Sequence, residues 1–190
     1  MRVLALSLLL ALTLSSSAFA ASYQQTNGTI VDPIQNTFGG NHPYSGIDLA
    51  PLANPRFADL SYAYLAHMDQ NGGDLVGSIF VGADLSESNL RSTRLAEVDL
   101  TDADLSGSDL LFSNLVLADL TRANLTGVDL TGVRFEQATA EGADFSGAIF
   151  IGAVHLGSVT GVAKYDEFTD FTNAWDSVDR NFKLRFPYRP

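Results

Sequence analysis

Ala83-Asp84-Leu85-Ser86-Glu87, Ser88-Asn89-Leu90-Arg91-Ser92, Thr93-Arg94-Leu95-Ala96-Glu97, Val98-Asp99-Leu100-Thr101-Asp102 and Ala103-Asp104-Leu105-Ser106-Gly107 follow one another without a break. Each group of five has a small or β-branched residue first, a polar one second and Leu third. The same frame extends back to Ala58 and forward to Gly152, 95 residues or 19 units without an insertion. The third position is Leu or Phe throughout, apart from Gln70 and Ala140. A period of five fits neither a helix, which repeats at 3.6, nor a strand, which repeats at 2. On a helix the leucines would spiral around the axis, and on a plain strand they would alternate faces. The period makes sense if each unit is a short extended segment plus a turn, with its third residue always pointing inward. Fixed-period self-similarity of this kind is the mark of a solenoid.

The repeated A-[D/N]-[L/F]-x-x resembles the pentapeptide-repeat proteins. The resemblance implies an all-β fold, a right-handed quadrilateral parallel β-helix with four units per coil and about five coils. Residues 20 apart would then stack, giving inner columns such as Leu60-Phe80-Leu100-Leu120-Ala140 and Leu65-Leu85-Leu105-Leu125-Phe145. One coil holds Phe135, Ala140, Phe145 and Phe150, three rings and one small side chain. The segment Asn36 to Gly46 and the stretch Tyr165 to Ala174 also look like flanking regions of exported members of the family.

The ends of the chain differ from the repeat. Arg2, the apolar run Val3 to Leu14 and the Ala18-Phe19-Ala20 pattern read as a signal peptide over residues 1–20, cleaved near Ala20-Ala21. The run is too short for a comfortable membrane span, which needs about 20 residues, so the mature chain is expected to be exported, periplasmic or secreted, with no membrane insertion. Residues 21–57 are expected to form an N-terminal cap, 58–157 the β-helix, and 158–190 a C-terminal cap and basic-aromatic tail. The frame is expected to fail at His155, because an unpartnered imidazole is costly to bury. Gln70, followed by Asn71-Gly72-Gly73, is the matching imperfection near the start.

Charge is unevenly placed. Residues 58–152 hold 15 acids and 4 bases. Such a surface argues against binding nucleic acid. Arg180 to Pro190 holds four bases and no acid, interleaved with aromatics. Leu111, Phe112, Val116 and Leu117 fall at positions expected to face water, with Ile151 and Leu156 stacked on the same columns. Exposed apolar stripes of this kind mean contact with something: a protein partner, self-association, or a covering by tail residues Arg180, Phe182, Lys183, Arg185, Phe186 and Tyr188.

Catalytic and metal chemistry finds no foothold. The chain has no cysteine, and His42, His67 and His155 lack metal-ligand spacing. Nucleophile-elbow, phosphate-loop and dinucleotide motifs do not occur. An unbroken register leaves no loops from which to build a pocket. The expected function is therefore a non-enzymatic structural or protein-binding module without cofactor or metal. One alternative follows from the resemblance, since some members of the family imitate DNA and bind a type II topoisomerase; the signal peptide argues against it. The other is a cation-binding envelope protein, suggested by aspartate columns such as Asp99-Asp119, although a column lacks the cage of oxygens calcium needs.

Overall fold

In the computed structural model, residues 23–25, 30–31, 34–40 and 49–174 are described. Residues 1–20, expected to be a signal peptide, His42 and the tail from residue 175 lie outside them. From Asp59 onward the chain is a ladder of single-residue parallel bridges, each joining residues 20 apart: Asp59 to Ile79, Tyr64 to Asp84, Asp69 to Asn89, Asp74 to Arg94, and so on upward. Four such columns make four faces. The second residue of each unit marks them: Asp59-Ile79-Asp99-Asp119-Thr139 on the first face, Tyr64-Asp84-Asp104-Asn124-Asp144 on the second, Asp69-Asn89-Asp109-Asp129-Ile149 on the third and Asp74-Arg94-Asn114-Arg134-Val154 on the fourth.

Backbone accounting within one unit explains the motif. Ala83 N–H closes the preceding turn on Phe80 O (3.0 Å), Asp84 N–H donates to Ala63 O (2.9 Å), Leu85 N–H to Asp104 O (2.7 Å) and Glu87 N–H to Ser106 O (2.9 Å). The one remaining donor, Ser86 N–H, bonds the Asp84 carboxylate oxygen at 3.0 Å. Every backbone donor of the unit is thereby satisfied, as a buried or half-buried chain requires. Where the second residue is Asp or Asn its side chain accepts the N–H two residues on, a role suited to these side chains. The fifth residue sits at positive φ, for example Gly107 at 67° and Glu87 at 54°, as the third residue of a type II turn does. The first and third residues point inward. Leu85, Leu105 and Leu125 are all but fully buried, as are Phe135, Phe145 and Phe150, and the last two rings meet edge to face with centroids 5.3 Å apart.

The N-terminal segment closes the lower edge from outside the frame. Strand β1 (Tyr23–Gln24) pairs antiparallel with β2 (Ile30–Val31), and β3 (Gln35–Asn36) pairs antiparallel with β4 (Ala63–Tyr64) on the second face. Gln25 bridges Met68. Leu52 N–H bonds Asn71 O (3.0 Å) and Phe57 N–H bonds Val76 O (3.0 Å), so the turn pattern begins before Ala58. Gln70 fills its inward place fully buried. Its amide nitrogen reaches Ala50 O at 2.8 Å and Ala53 O at 3.2 Å.

The upper boundary differs from the sequence reading, which closed the repeat at residue 157. The ladder continues through Thr139 to Thr160, Asp144 to Lys164 and Ile149 to Asp170. The offset is 21 at Thr160, returns to 20 at Lys164 and is 21 again at Asp170. One extra residue therefore enters before Thr160, is given back before Lys164, and a second enters before Asp170. The first is taken up by a 3-10 turn, Leu156–Ser158, entered through His155 at φ 61°. His155 is thus turned outward, and Leu156 packs against the core in its stead. Gly161 follows where the backbone comes too close to Glu141 for any side chain; a Cβ there would lie 2.6 Å from Glu141 N. Tyr165 and Phe171 complete the level. Phe171 stacks on Phe150 (4.9 Å, 14°) and meets Tyr165 edge-on (5.6 Å, 89°).

Candidate interaction surface

The acidic columns are first of all structural. Asp59, Asp69, Asp99, Asp104, Asp109, Asp119, Asp129 and Asp144 each accept a backbone N–H two residues on, at 2.9–3.2 Å. One oxygen of each carboxylate is committed in this way. Among the described residues no cluster of three or more His, Asp or Glu could hold a metal ion. His67 lies 3.2 Å from Glu87, its neighbour one level up, and His155 stands near the other end of the rod. Asn124, part of a glycosylation sequon, has its amide nitrogen committed to Asp104 at 3.0 Å.

Charge differs sharply between faces. The first three carry most of the aspartates. The fourth carries Arg56, Arg94 and Arg134 against Asp74 and Glu136. Arg94 bonds Asp74 at 2.7 Å, Arg56 approaches the same carboxylate at 3.7 Å, and Arg134 lies 3.7 Å from Glu136. At the corner between the first and second faces, Arg122 grips Asp102 with two bonds of 2.6 Å. Those bonds hold the Asp102 carboxyl below its ordinary range. Burial pulls Asp166 upward, but N–H donors from Gly147 and Phe168 and the Thr169 hydroxyl leave it lowered. Thr172 lowers Asp170 through its side chain and its N–H.

The apolar stripe expected from the sequence is present in part. Phe112 is 63% exposed, Leu117 49% and Ile151 38%, with Leu111 and Val116 half-buried beside them. Leu156 does not belong to it, because the inserted residue turns it toward the core. Phe112 and Leu117 flank the fourth face at one level, with Asn114 and Val116 between them. The tail residues Arg180, Phe182, Lys183, Arg185, Phe186 and Tyr188 lie outside the described residues.

A corner pattern was missed in the sequence. A ring or branched side chain at a fifth position lies over a glycine one level up: Leu52 over Gly72, Phe57 over Gly77, Tyr62 over Gly82 and Phe112 over Gly132. A Cβ on any of these glycines would sit 2.5–2.7 Å from that side chain. The signal was available as a large residue with Gly 20 places later. Three of the four lie at the N-terminal end, where Phe38 also meets Tyr62 (5.2 Å) and Arg56 lies 5.3 Å from the Phe57 ring centre. Part of each of these exposed side chains is therefore already used within the rod.

The repeat family that matches the sequence agrees with this geometry. The family description "Pentapeptide repeats", in eight copies, matches residues 58–96, 99–137 and 129–154, half of the chain. Among solved structures, a pentapeptide repeat protein from the thylakoid lumen of Arabidopsis thaliana is 24% identical, over 52% of this chain and 72% of its own, at a TM-score of 0.27. A pentapeptide repeat protein from Nostoc PCC 7120 is 26% identical, over 73% and 83%, at 0.25. Full-length QnrB1, a plasmid-mediated fluoroquinolone resistance protein, is 16% identical, over 73% and 84%, at 0.27. No curated protein matches the chain. At these TM-scores the superpositions add nothing to the ladder itself; the family match over half the chain, with its frame seated on the bridged units, makes this a member of the pentapeptide-repeat family.

Proposed function

We propose that this chain is an exported, non-enzymatic binding module: a right-handed quadrilateral rod of about five regular coils that presents its fourth face to a protein partner. The export half of the reading rests on the sequence of residues 1–20, and residues 21–57 and the aromatic last level serve as caps. The binding half rests on one observation. Arg94 and Arg134 stand where the fold asks for Asp or Asn, and among the described residues no side chain accepts the N–H of Ala96 or Glu136. Arg94 gains only an exposed ion pair with Asp74 and Arg134 lies 3.7 Å from Glu136, pairs worth little at a surface, and a local rule broken for so small a return marks a functional position. The same face is bounded by exposed Phe112 and Leu117.

Arg134→Asn separates the two roles. It restores the acceptor, so stability should rise by about 1 kcal/mol, the net worth of one hydrogen bond. Capture of a partner from the envelope fraction by the tagged protein should fall. Unchanged capture for Arg134→Asn and for Leu117→Asp would remove the fourth face from the proposal. Localisation is tested separately by fractionating cells and sequencing the mature N-terminus. Cytoplasmic protein retaining Met1 would overturn export and favour the DNA-mimicking reading, which the acidic first three faces would suit. Cation binding is less well supported, since each aspartate already spends one oxygen on the backbone.

A further inference from the structure

The chain leaves the described rod at a particular corner. Gly152 N–H bonds Thr172 O at 3.2 Å, and Ala174 N–H closes a turn on Phe171 O at 3.0 Å. Asn173, at φ 52°, is the corner residue between them. The chain therefore turns from the third face toward the fourth directly above Gly152. Below it on the same corner come Gly152, Gly132 and Phe112. A Cβ on Gly152 would meet nothing within 4 Å, and Gly132 is roofed by the Phe112 ring. The result is a shallow furrow floored by glycine. Ile151, Thr131 and Leu111 stack along its third-face side, and Phe112 closes its lower end. Asp129 and Asp170 lie beside it, and no base among the described residues pairs with either.

The residues after Ala174 suit this furrow in their chemistry. Residues 175–190 contain Trp175, Phe182, Leu184, Phe186 and Tyr188 and four bases, Arg180, Lys183, Arg185 and Arg189, against two acids, Asp176 and Asp179, which precede them. Phe112 lies three levels below the exit, about 14 Å at 4.8 Å per level. Sixteen residues can span up to about 53 Å, so reach is not limiting even with turns.

We propose that residues 175–190 fold back in cis along the corner between the third and fourth faces. Their aromatic side chains cover Ile151, Leu111 and Phe112, and their bases face Asp129 and Asp170. This occupant differs from the partner proposed for the fourth face; the two meet only at Phe112, and with the tail in place the partner's contacts fall on Arg94, Arg134 and Leu117, so either can fail without the other.

The absence of cysteine from the sequence allows a direct test in the full chain. Leu111→Cys with Phe182→Cys should form an intrachain disulfide under mild oxidation, independent of protein concentration. A control pair, Thr126→Cys with Phe182→Cys, puts the first thiol on the second face within reach of an undocked tail. The furrow pair should close about tenfold faster or more, because docking raises the effective concentration of its thiols, and high salt should narrow the gap. Equal rates for the two pairs would overturn the proposal. So would disulfide-linked dimers that grow with concentration, which would assign the furrow to a second copy. A chain ending at Ala174 supplies a second readout: its binding of an apolar dye should exceed that of the full chain, and Phe112→Ser should abolish the excess. Equal dye binding by the two chains would also count against the tail.

Discussion

Replacing Gln70 by Leu should make the protein more stable, although Gln70 is fully buried and makes two hydrogen bonds. The side chain points inward below Leu90, in a column otherwise filled by Leu and Phe. Its amide nitrogen donates to Ala50 O and Ala53 O, but neither carbonyl depends on it. Ala50 O also accepts Ala53 N–H (2.9 Å), and Ala53 O accepts Asp74 N–H (2.9 Å). The other amide atom, Oε1, is buried without a partner. Substitution loses two bonds, worth about 1–3 kcal/mol together, and removes an orphaned acceptor that costs about 1–3 kcal/mol. Burying a Leu side chain adds about 1.5–3 kcal/mol. The balance favours Leu by about 2 kcal/mol, and for a chain of this size each kcal/mol is roughly 2–4 °C in Tm. The Gln70 side chain occupies the room left by the missing Cβ of Gly73, where a Cβ would come 2.3 Å from its nitrogen, and Leu must fit the same room. The assay is urea unfolding of Gln70→Leu and Gln70→Ala beside the parent. Leu should raise the midpoint at constant slope, and Ala, which leaves a cavity, should lower it. A lowered midpoint for Leu would refute the reasoning and make the Gln70 bonds a true end-cap.

Two other outcomes follow from the corners and the last level. Gly132→Ala should destabilise more than Gly127→Ala: both incur about 1–2 kcal/mol for a left-handed Ala, but only the first displaces a ring, and the difference should vanish in a Phe112→Ala background. The folded-state carboxyls of Asp102, Asp166 and Asp170 are lowered, so their stabilisation is complete above the ordinary Asp value of about 3.9 and is lost as pH falls through the lower folded values. Asp170→Asn, which retains an acceptor for Thr172 N–H, should weaken that acid dependence in circular-dichroism melts; an unchanged acid limb would contradict the assignment.

The core was legible because one period decides it. Once the third position is inward, burial of Leu85 or Phe150 follows from counting. The last level was hidden by the same arithmetic. A single extra residue shifts its neighbours by one place, so His155 and Leu156 exchanged roles and Phe171 sat one place out of frame. Tyr165 kept its inward place because the first extra residue is given back before Lys164. Nothing in residues 153–171 announces these shifts except Gly161, whose necessity appears only when Glu141 lies beside it. The role of aspartate was overlooked for a different reason. Counted as charge, it described a surface; the hydrogen bond from the N–H two residues on makes it part of the turn.

That second point changes what the acidity of the chain can mean. If Asp is recruited at the second position to satisfy the backbone, a strongly negative rod arises without selection for negative charge. Net charge then carries little information about partners. The informative positions are those where the acceptor is given up. Ile79 and Thr139 do so on the first face, Tyr64 on the second and Ile149 on the third, where Asp or Asn still fills most of each column. On the fourth face Arg94 and Arg134 stand two levels apart on either side of Asn114, and Val154 follows, so the exception becomes the rule for that column. Each exception forfeits a bond worth about 0.5–1.5 kcal/mol, and surface ion pairs of the Arg94–Asp74 kind recover at most about as much. A face that repeatedly departs from the cheapest local solution, beside two exposed apolar corners, is where a partner would leave its imprint on a repeat that otherwise specifies only itself.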